Sequence, residues 1–360
     1  MQPRILSRTH YQVDEPAQMT LLCKLCASGG QSAYREVLAK KRADVARAQG
    51  KEFNVAAGGY AVDLARALGL LSSENALADR GHLVNLIAQV KEGSWEEQLT
   101  LTQPEVLLYL RLFLEADGAA FVFLGHRFLE KRTLPGEDAS WNSIATEMFA
   151  EVYLRYLEIS NNTAERVHLR HQRDRILAKG YEGKSGAHQM FIHLQTLCRL
   201  GLLSRSGGSQ RRVYARPESP PSAANAVRLL VEQVPDIMAL ERIVAQRRWA
   251  QVAAEVLQVG HQAPSRPSED QRSEILNTLV RCYDQVLSTG APICSISTLV
   301  DAAQIILLTA RGRLLSYESV LDVLISTQKR RPKDLRFHVD RRGQPAYLKL
   351  SDEFRKSAYL

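Results

Sequence analysis

Arginine and lysine side chains gather in two short segments of the chain, where they could contact an anionic ligand. Residues 161–216 carry 11 basic and 3 acidic side chains, and residues 311–360 carry 12 and 6. The whole chain has a net charge of +8, so its other parts are slightly acidic. Concentrated positive charge binds polyanions by releasing counterions, and acidic surroundings keep that attraction local. We predict contacts with nucleic-acid phosphates, with ordinary solvated surfaces as the alternative.

The candidate nucleic-acid-binding residues fall into these two segments. The first set shares positive charge or a place near the start of a predicted helix: Arg170, Arg173, Lys184, Ser185, His188, Gln189, Arg205, Arg211 and Arg212. The second set is basic throughout: Lys329, Arg330, Arg331, Lys333, Arg341 and Arg342. Backbone N–H groups at Lys184-Ser185-Gly186 precede a predicted helix and are expected to meet a phosphate. His188 and Gln189 follow, where such helices reach base edges.

The elements that must position these residues are mostly helices, because apolar side chains recur at helical spacing along the chain. The predicted helices are 34–48, 54–68, 103–132, 141–159, 163–179, 187–200, 225–259, 270–288, 296–310 and 316–328. Gly69 and Gly201 are expected to end two of them. Asp117-Gly118 is expected to interrupt the helix 103–132, and Pro235 to break the helix 225–259.

One arrangement recurs along the chain: a helix, a short turn and two strand-like pieces. In the middle copy the helix is followed by Gly201-Leu202-Leu203 and by a turn with a narrow tip at Gly207-Gly208. In the last copy Pro332 is expected to stop the helix, and alternation predicts a hairpin of Leu335–Val339 and Ala346–Leu350.

The first copy runs through helix 60–68 and Gly69-Leu70-Leu71 to a small strand and turn at Leu77–Gly81. It is poor in lysine and arginine, which favours a role in protein packing.

These copies resemble the winged-helix superfamily of DNA-binding domains, in which a recognition helix leads into a two-stranded wing. The resemblance implies a mainly α protein with two or three winged-helix-like modules, each with a short β-hairpin wing, on a helical scaffold. An alternative is a helical protein with ordinary β-hairpins.

A chain of 360 residues has room for two or three domains. Five consecutive segments are expected: an N-terminal helical or winged-helix-like module, a helical scaffold, a basic winged-helix module, a helical linker region and a C-terminal winged-helix-like module with a basic hairpin. They are 1–100, 101–160, 161–216, 217–268 and 269–360. The Pro-, Gly- and Ser-rich stretch 260–268 is the clearest boundary.

Signals for catalysis or metal binding are weak, so we predict no catalytic residue, no metal and no cofactor. Cys23 and Cys26 form a C-x-x-C without a second pair, and only His10 could add a third ligand nearby. His168 and His171 lie among arginines, which would repel a cation. Neither Gly58-Gly59 nor Gly207-Gly208 is followed by the Lys-Ser/Thr of a phosphate-binding loop.

The sequence therefore predicts a non-catalytic protein that binds double-stranded DNA. A subunit of a larger assembly in genome maintenance, mobile-element function or antiviral (phage) defence fits this prediction, as does a transcription regulator. The alternative is a protein-interaction scaffold, such as a kleisin-like partner of an ATPase, that uses its modules for dimerisation or docking. A protein partner or homodimer is expected. No apolar run long enough for a membrane span is found, and a cytoplasmic location is expected.

Overall fold

The computed structural model describes most of the chain as helices. The described residues are 2–7, 16–27, 57–74, 76–88, 91, 100–131, 133–135, 140–181, 184–206, 213–215, 225–262, 267–288, 294–341 and 343–357. Mainly helical structure confirms the expected class. The predicted helix 34–48, the glycine pair 207–208, Arg211, Arg212 and Arg342 lie outside the described residues. Within them, no helix is both long and apolar enough to cross a membrane.

The helices and strands have the following bounds, in chain order. The helices are α1 (Pro16–Ala27), α2 (Ala57–Ala67), α3 (Asp79–Ile87), α4 (Gln103–Glu130), α5 (Ser140–Ile159), α6 (Thr163–Lys179), α7 (Lys184–Arg199), α8 (Ala226–Gln233), α9 (Ile237–Ala245), α10 (Trp249–Leu257), α11 (Glu269–Leu287), α12 (Ile296–Arg311), α13 (Tyr317–Arg330) and α14 (Asp352–Ser357). The strands are β1 (Thr133–Pro135), β2 (Ser204–Ser206), β3 (Val213–Ala215), β4 (His261–Gln262), β5 (Cys294–Ser295), β6 (Arg313–Leu314), β7 (Leu335–Val339) and β8 (Pro345–Leu350).

The chain divides into two compact units, and each is assembled from separate stretches of sequence. The first unit contains Met1–Pro16 and Tyr109–Gln258, and the second contains Ala17–Leu108 and Val259–Leu360. This grouping differs from the five consecutive segments expected from the sequence. The late change of unit, between residues 258 and 259, falls next to the expected boundary at 260–268.

The first unit has a three-stranded antiparallel sheet whose last strand lies in the middle. The order along the chain is α4, β1, α5, α6, α7, β2, β3, and the order in the sheet is β1–β3–β2. Thr133 of β1 and Ser204 of β2 both pair with Ala215 of β3. Helix α5 packs against α6 and α7.

The second unit repeats this order with one helix fewer. Along the chain come α11, β5, α12, β6, α13, β7 and β8, and the sheet order is β5–β8–β7, so the last strand is again central. The additional strand β6 is outside this sheet and forms a short parallel pair with β4. Helix α12 is buried along most of its length and contacts α3, α11 and α13, so it forms the middle of this core.

Several helix ends confirm the sequence-based predictions. Gly69 and Gly201 follow α2 and α7 with φ of +70° and +73°, a region that favours glycine. The predicted break at Pro235 separates α8 from α9. The Asn162 side chain accepts a hydrogen bond from Glu165 N at 3.1 Å and so begins α6.

The first copy of the recurring arrangement differs from the prediction. Leu71 and Leu77 form an isolated antiparallel bridge, but residues 79–81 begin helix α3 instead of completing a strand and turn. A Cβ at Gly81 would lie 2.2 Å from Leu70 O, so the glycine permits a close backbone approach. Helix α3 packs on α11 and α12, and Thr298 Oγ1 of α12 donates to Asp79 O at 3.0 Å.

The predicted interruption at Asp117-Gly118 is wrong, because α4 is continuous from Gln103 to Glu130. The glycines of α4 serve packing instead. A Cβ at Gly118 would lie 2.7 Å from Leu240 of α9, and one at Gly125 would lie 2.8 Å from Val231 of α8. These two glycines let α8 and α9 approach α4 closely.

Segment 2–7 is held against α4 by Arg4. Arg4 Nη1 donates to Glu115 O at 2.7 Å, and Arg4 O accepts from Ala119 N at 3.0 Å. In a regular helix these two groups of α4 would bond to each other. Arg4 also donates to both carboxylate oxygens of Glu241 at 2.8 and 3.0 Å, and Tyr156 Oη donates to the same carboxylate.

An Arg4→Ala variant is expected to lower the free energy of unfolding of the first unit by about 2 kcal/mol. The substitution leaves Glu241 without its cation in a site where its side chain is 15% exposed. Urea unfolding followed by fluorescence measures the change. Arg155→Ala is the control, because Arg155 also contacts two carboxylates but its side chain is 53% exposed. It should cost less than about 0.5 kcal/mol, and an equal decrease in both variants would contradict the role assigned to Arg4.

Candidate nucleic-acid interface

The β7–β8 hairpin of the second unit has one exposed face and one face that is buried at its base and exposed towards the tip, at Val339. Leu335, Leu348 and Leu350 are buried, as the alternation of the sequence predicts. On the other face Arg336 lies opposite Lys349, and both side chains are exposed.

The next cross-strand pair on the exposed face is His338 with Tyr347, again with both side chains exposed. Two cations, an imidazole and a phenol therefore lie side by side on one exposed surface. We call these four residues the outer face of the hairpin.

The end of helix α13 adds four exposed cations: Lys329, Arg330, Arg331 and Lys333. The helix ends at Arg330, two residues before Pro332, as predicted. Arg330 lies 3.4 Å from Glu269, but both side chains are about 70% exposed, so solvent weakens this ion pair. The Arg331 guanidinium lies over the Phe354 ring, 5.6 Å from its centroid. All four belong to the predicted site: Lys329 and Arg330 lie in the last turn of α13, and Arg331 and Lys333 follow it.

Hydrogen bonds fix the base of the hairpin. Ser351 N donates to Asp334 O at 2.8 Å, and Ser351 Oγ donates to Asp334 Oδ1 at 3.0 Å. Leu350 N donates to the hydroxyl of Tyr283 on α11 at 3.2 Å. The first two bonds join the two ends of the hairpin and the third ties β8 to α11, so the outer face is held in place before any ligand arrives.

The hairpin turns at Asp340–Gln344. Asp340 N donates to Gln344 O at 2.8 Å, and Gly343 has φ of +75°, which favours glycine. Arg341 is exposed at this tip, as predicted. Asp340 is also exposed there and places one carboxylate among the cations.

Charge changes sign along helix α13. Its exposed residues near the N-terminus are Glu318 and Asp322, whereas Lys329 and Arg330 lie at its C-terminal end. This order is the one that the helix dipole favours. It also places carboxylates on the N-terminal half of α13. When a recognition helix lies in the major groove, this is the half that contacts the base edges.

Helix α7 of the first unit does not present the side chains that the sequence predicted for base contact. Every residue from Gly186 to Leu200 is buried or half-buried. Gln189 is fully buried and donates to Ser7 Oγ at 3.1 Å, and His188 is half-buried. The expectation that Gln189 reaches base edges is therefore wrong.

Lys184 and Ser185 belong to the first turn of α7, not to a loop before it. Ser185 is exposed.

Other buried polar residues of α7 also contact groups inside the first unit. His193 is fully buried, and its Nδ1 lies 3.1 Å from Oδ2 of the equally buried Asp117. Asp117 Oδ1 accepts from Leu6 N at 2.8 Å. Thr196 Oγ1 donates to Ile192 O within the helix at 3.0 Å. The polar positions that suggested a reading surface therefore belong to the core.

The remaining predicted residues of the first unit lie on two elements. Arg170 and Arg173 are on α6, a helix whose buried residue is Leu169, and Arg173 lies 3.8 Å from Asp174. Arg205 is exposed on β2.

Sequence reasoning missed all four members of the outer face: Arg336, His338, Tyr347 and Lys349. The alternation of β7 and β8 was the signal that could have identified them.

All five cysteines of the chain are described, and none of them is in a disulfide. Burial raises the pKa of the Cys198 thiol to about 12 and of the Cys282 thiol to about 12. It also raises the pKa of Cys23 and of Cys26. Among the described residues no three His, Cys, Asp or Glu side chains are placed to hold a metal ion. His10, the third ligand considered, lies outside them.

Comparison with known proteins identifies no relative: no family model, curated protein or solved structure matches this chain.

The thiols are expected to react slowly with a disulfide reagent in the native protein at about pH 8. Burial blocks access, and the raised pKa values keep the thiolate fraction small. Absorbance of the released chromophore measures the rate, and all five thiols should react at once in denaturant. Cys198 is half-buried and the other four cysteines are buried. A fast phase of two or more thiols, or a fast phase that persists in a Cys198→Ser variant, would therefore contradict the burial of the other cysteines.

Proposed function

We propose that this protein binds the phosphate backbone of double-stranded DNA through the hairpin of its second unit and catalyses no reaction there. The observation that carries the proposal is the outer face, where Arg336 and Lys349 lie side by side on a strand pair fixed at its base. The cations at the end of α13 extend the positive surface. Such surfaces bind duplex DNA largely by counterion release.

The order of elements supports a winged-helix assignment for both units. Each has a helix, a strand, further helices and two final strands, with the last strand in the middle of the sheet. In the winged-helix arrangement the helix before the hairpin is the recognition helix, and the hairpin is the wing. By this assignment α13 with β7–β8 forms one module, and α7 with β2–β3 forms the other.

The charges of α13 favour backbone contact over base reading. Glu318 and Asp322 would face phosphates across the groove if the N-terminal half of α13 entered it, and like charges repel. At the outer face and the end of α13 the cations outnumber the nearby carboxylates of Asp340 and Glu269, so the net charge there attracts phosphates. Contacts to phosphates position a protein on DNA without reading its sequence, so we propose binding with little sequence preference.

The first unit has a supporting role in this proposal. Its counterpart of the recognition helix, α7, is buried or half-buried from Gly186 onward, so it cannot enter a groove in this arrangement. Because the first unit has no accessible recognition helix, we favour a subunit of a larger DNA-engaging assembly over a regulator that recognises a DNA sequence. The first unit then remains for protein contacts.

Removing both cations of the outer face, in an Arg336→Ala, Lys349→Ala variant, is expected to weaken DNA binding. Removal of one phosphate-binding side chain should lower the slope of log Kd against log salt concentration by about one, so the slope should fall by about two. Anisotropy of a fluorescent random-sequence duplex with the full chain, at about 50 to 200 mM salt, measures affinity and slope. Unlabelled duplexes of unrelated sequence should compete equally well.

The matched control is an Arg228→Ala, Arg242→Ala variant, which removes the same charge from exposed positions on α8 and α9. It should keep the parent slope. The proposal fails if the parent binds no duplex at about 50 mM salt, or if the two double variants behave alike. Tighter binding to RNA than to duplex DNA would show that the wrong polyanion was chosen.

A further inference from the structure

The first unit contains an open groove between α4, α5 and the turn from α8 to α9. Its volume is about 590 Å³, comparable to the volumes of ligand-binding clefts. The floor is apolar and comes from Val122 and Phe123 of α4, Val152 of α5 and Ile237 of α9. Met238, which is 56% exposed, lies at the edge and offers a flexible apolar contact.

The rim of the groove is acidic. Five carboxylates line it, from Glu130, Glu147, Glu151, Glu158 and Asp236, and they face two guanidinium groups. This excess of negative charge repels nucleic-acid phosphates, so the groove needs a different kind of ligand from that of the outer face.

The two arginines are already engaged by the acids of α5. Arg127 lies 3.3 Å from Glu147, and Arg155 donates to Glu151 at 2.7 Å and to Glu158 at 3.1 Å. They therefore offset part of the charge and offer little to an anionic ligand.

The wall opposite α5 is fixed. His126 Nε2 of α4 lies 2.8 Å from Pro235 O, which ties the α8–α9 turn to α4. Asp236 then begins α9, and its carboxylate accepts from Ala239 N at 2.7 Å. A preformed wall lowers the ordering cost of binding.

The groove has the dimensions of a short helix. Its acidic residues on α5 run from Glu147 to Glu158, about three turns or about 16 Å. An amphipathic helix that lies in a groove anchors apolar side chains at i, i+3 or i+4, and i+7, which matches this length. Basic residues flanking those anchors would meet the acidic rim.

From these features we infer that the groove binds a basic amphipathic helix of a protein partner. The apolar floor takes its anchor side chains, and the carboxylates of α5 and of the α8–α9 turn contact its lysines or arginines. This site goes beyond the proposed DNA contact, because it uses the opposite charge and a different unit.

A phage-displayed library of peptides of about 16 residues, four to five helical turns, tests the inference with the full chain as bait. Recovered sequences should be rich in lysine and arginine, with large apolar residues at helical spacing. A synthetic peptide of the recovered consensus should bind the Met238→Asp variant at least tenfold more weakly than the parent. Glu147→Lys should weaken it about threefold or more, and the affinity should fall as salt rises.

Matched controls separate the groove from the rest of the surface. Val167→Asp places the same charge at an exposed apolar position on α6, and Glu232→Lys reverses an exposed charge on α8, both outside the groove. Both should bind as the parent does. The inference is overturned if no sequence is enriched, if acidic peptides are enriched, or if the controls weaken binding as much as the groove variants.

Discussion

The buried carboxylate of Asp117 is the constraint on which the first unit depends. A buried polar group needs a polar partner: Asp117 accepts a hydrogen bond from Leu6 N at 2.8 Å and lies 3.1 Å from His193 Nδ1. It thereby joins α4, segment 2–7 and α7. Because α7 supplies a partner to this cluster, the helix is held inside the unit and its polar residues are used within the core.

This constraint explains why two units with a similar order of elements expose their helices differently. In the first unit, the helix before the hairpin is enclosed. In the second, the helix α13 keeps an exposed side, but that side is acidic at its start and basic only at its end. Our proposals follow this division: the second unit contacts phosphates by its hairpin, and the first offers an acidic groove to a basic protein segment. The two surfaces attract ligands of opposite charge.

Local chemistry explains which features the sequence could predict. Gly69 and Gly201 end helices because few other residues accept positive φ, and Pro332 follows the end of α13 for an equally local reason. Gly118 led to the wrong prediction of a helix interruption, because its role depends on a residue far away in the sequence. Only the position of Leu240 shows why a side chain is excluded there. The predicted base contact of Gln189 failed for the same reason, since its hydrogen-bond partner Ser7 is 182 residues away in the sequence. At the candidate site, the basic run after α13 was visible in the sequence, whereas the neighbours on the outer face depend on strand register.

That register has a consequence for the free protein. Arg336 and Lys349 lie directly opposite each other, and like charges on facing strands oppose strand pairing. The hairpin is thus folded against an internal repulsion that mobile anions reduce. Added salt should therefore stabilise the hairpin in the absence of a ligand. The same salt weakens the binding of phosphates to the outer face. A bound polyanion that relieves the repulsion stabilises the folded state by linkage, so folding and binding at the hairpin respond to ionic strength in opposite directions.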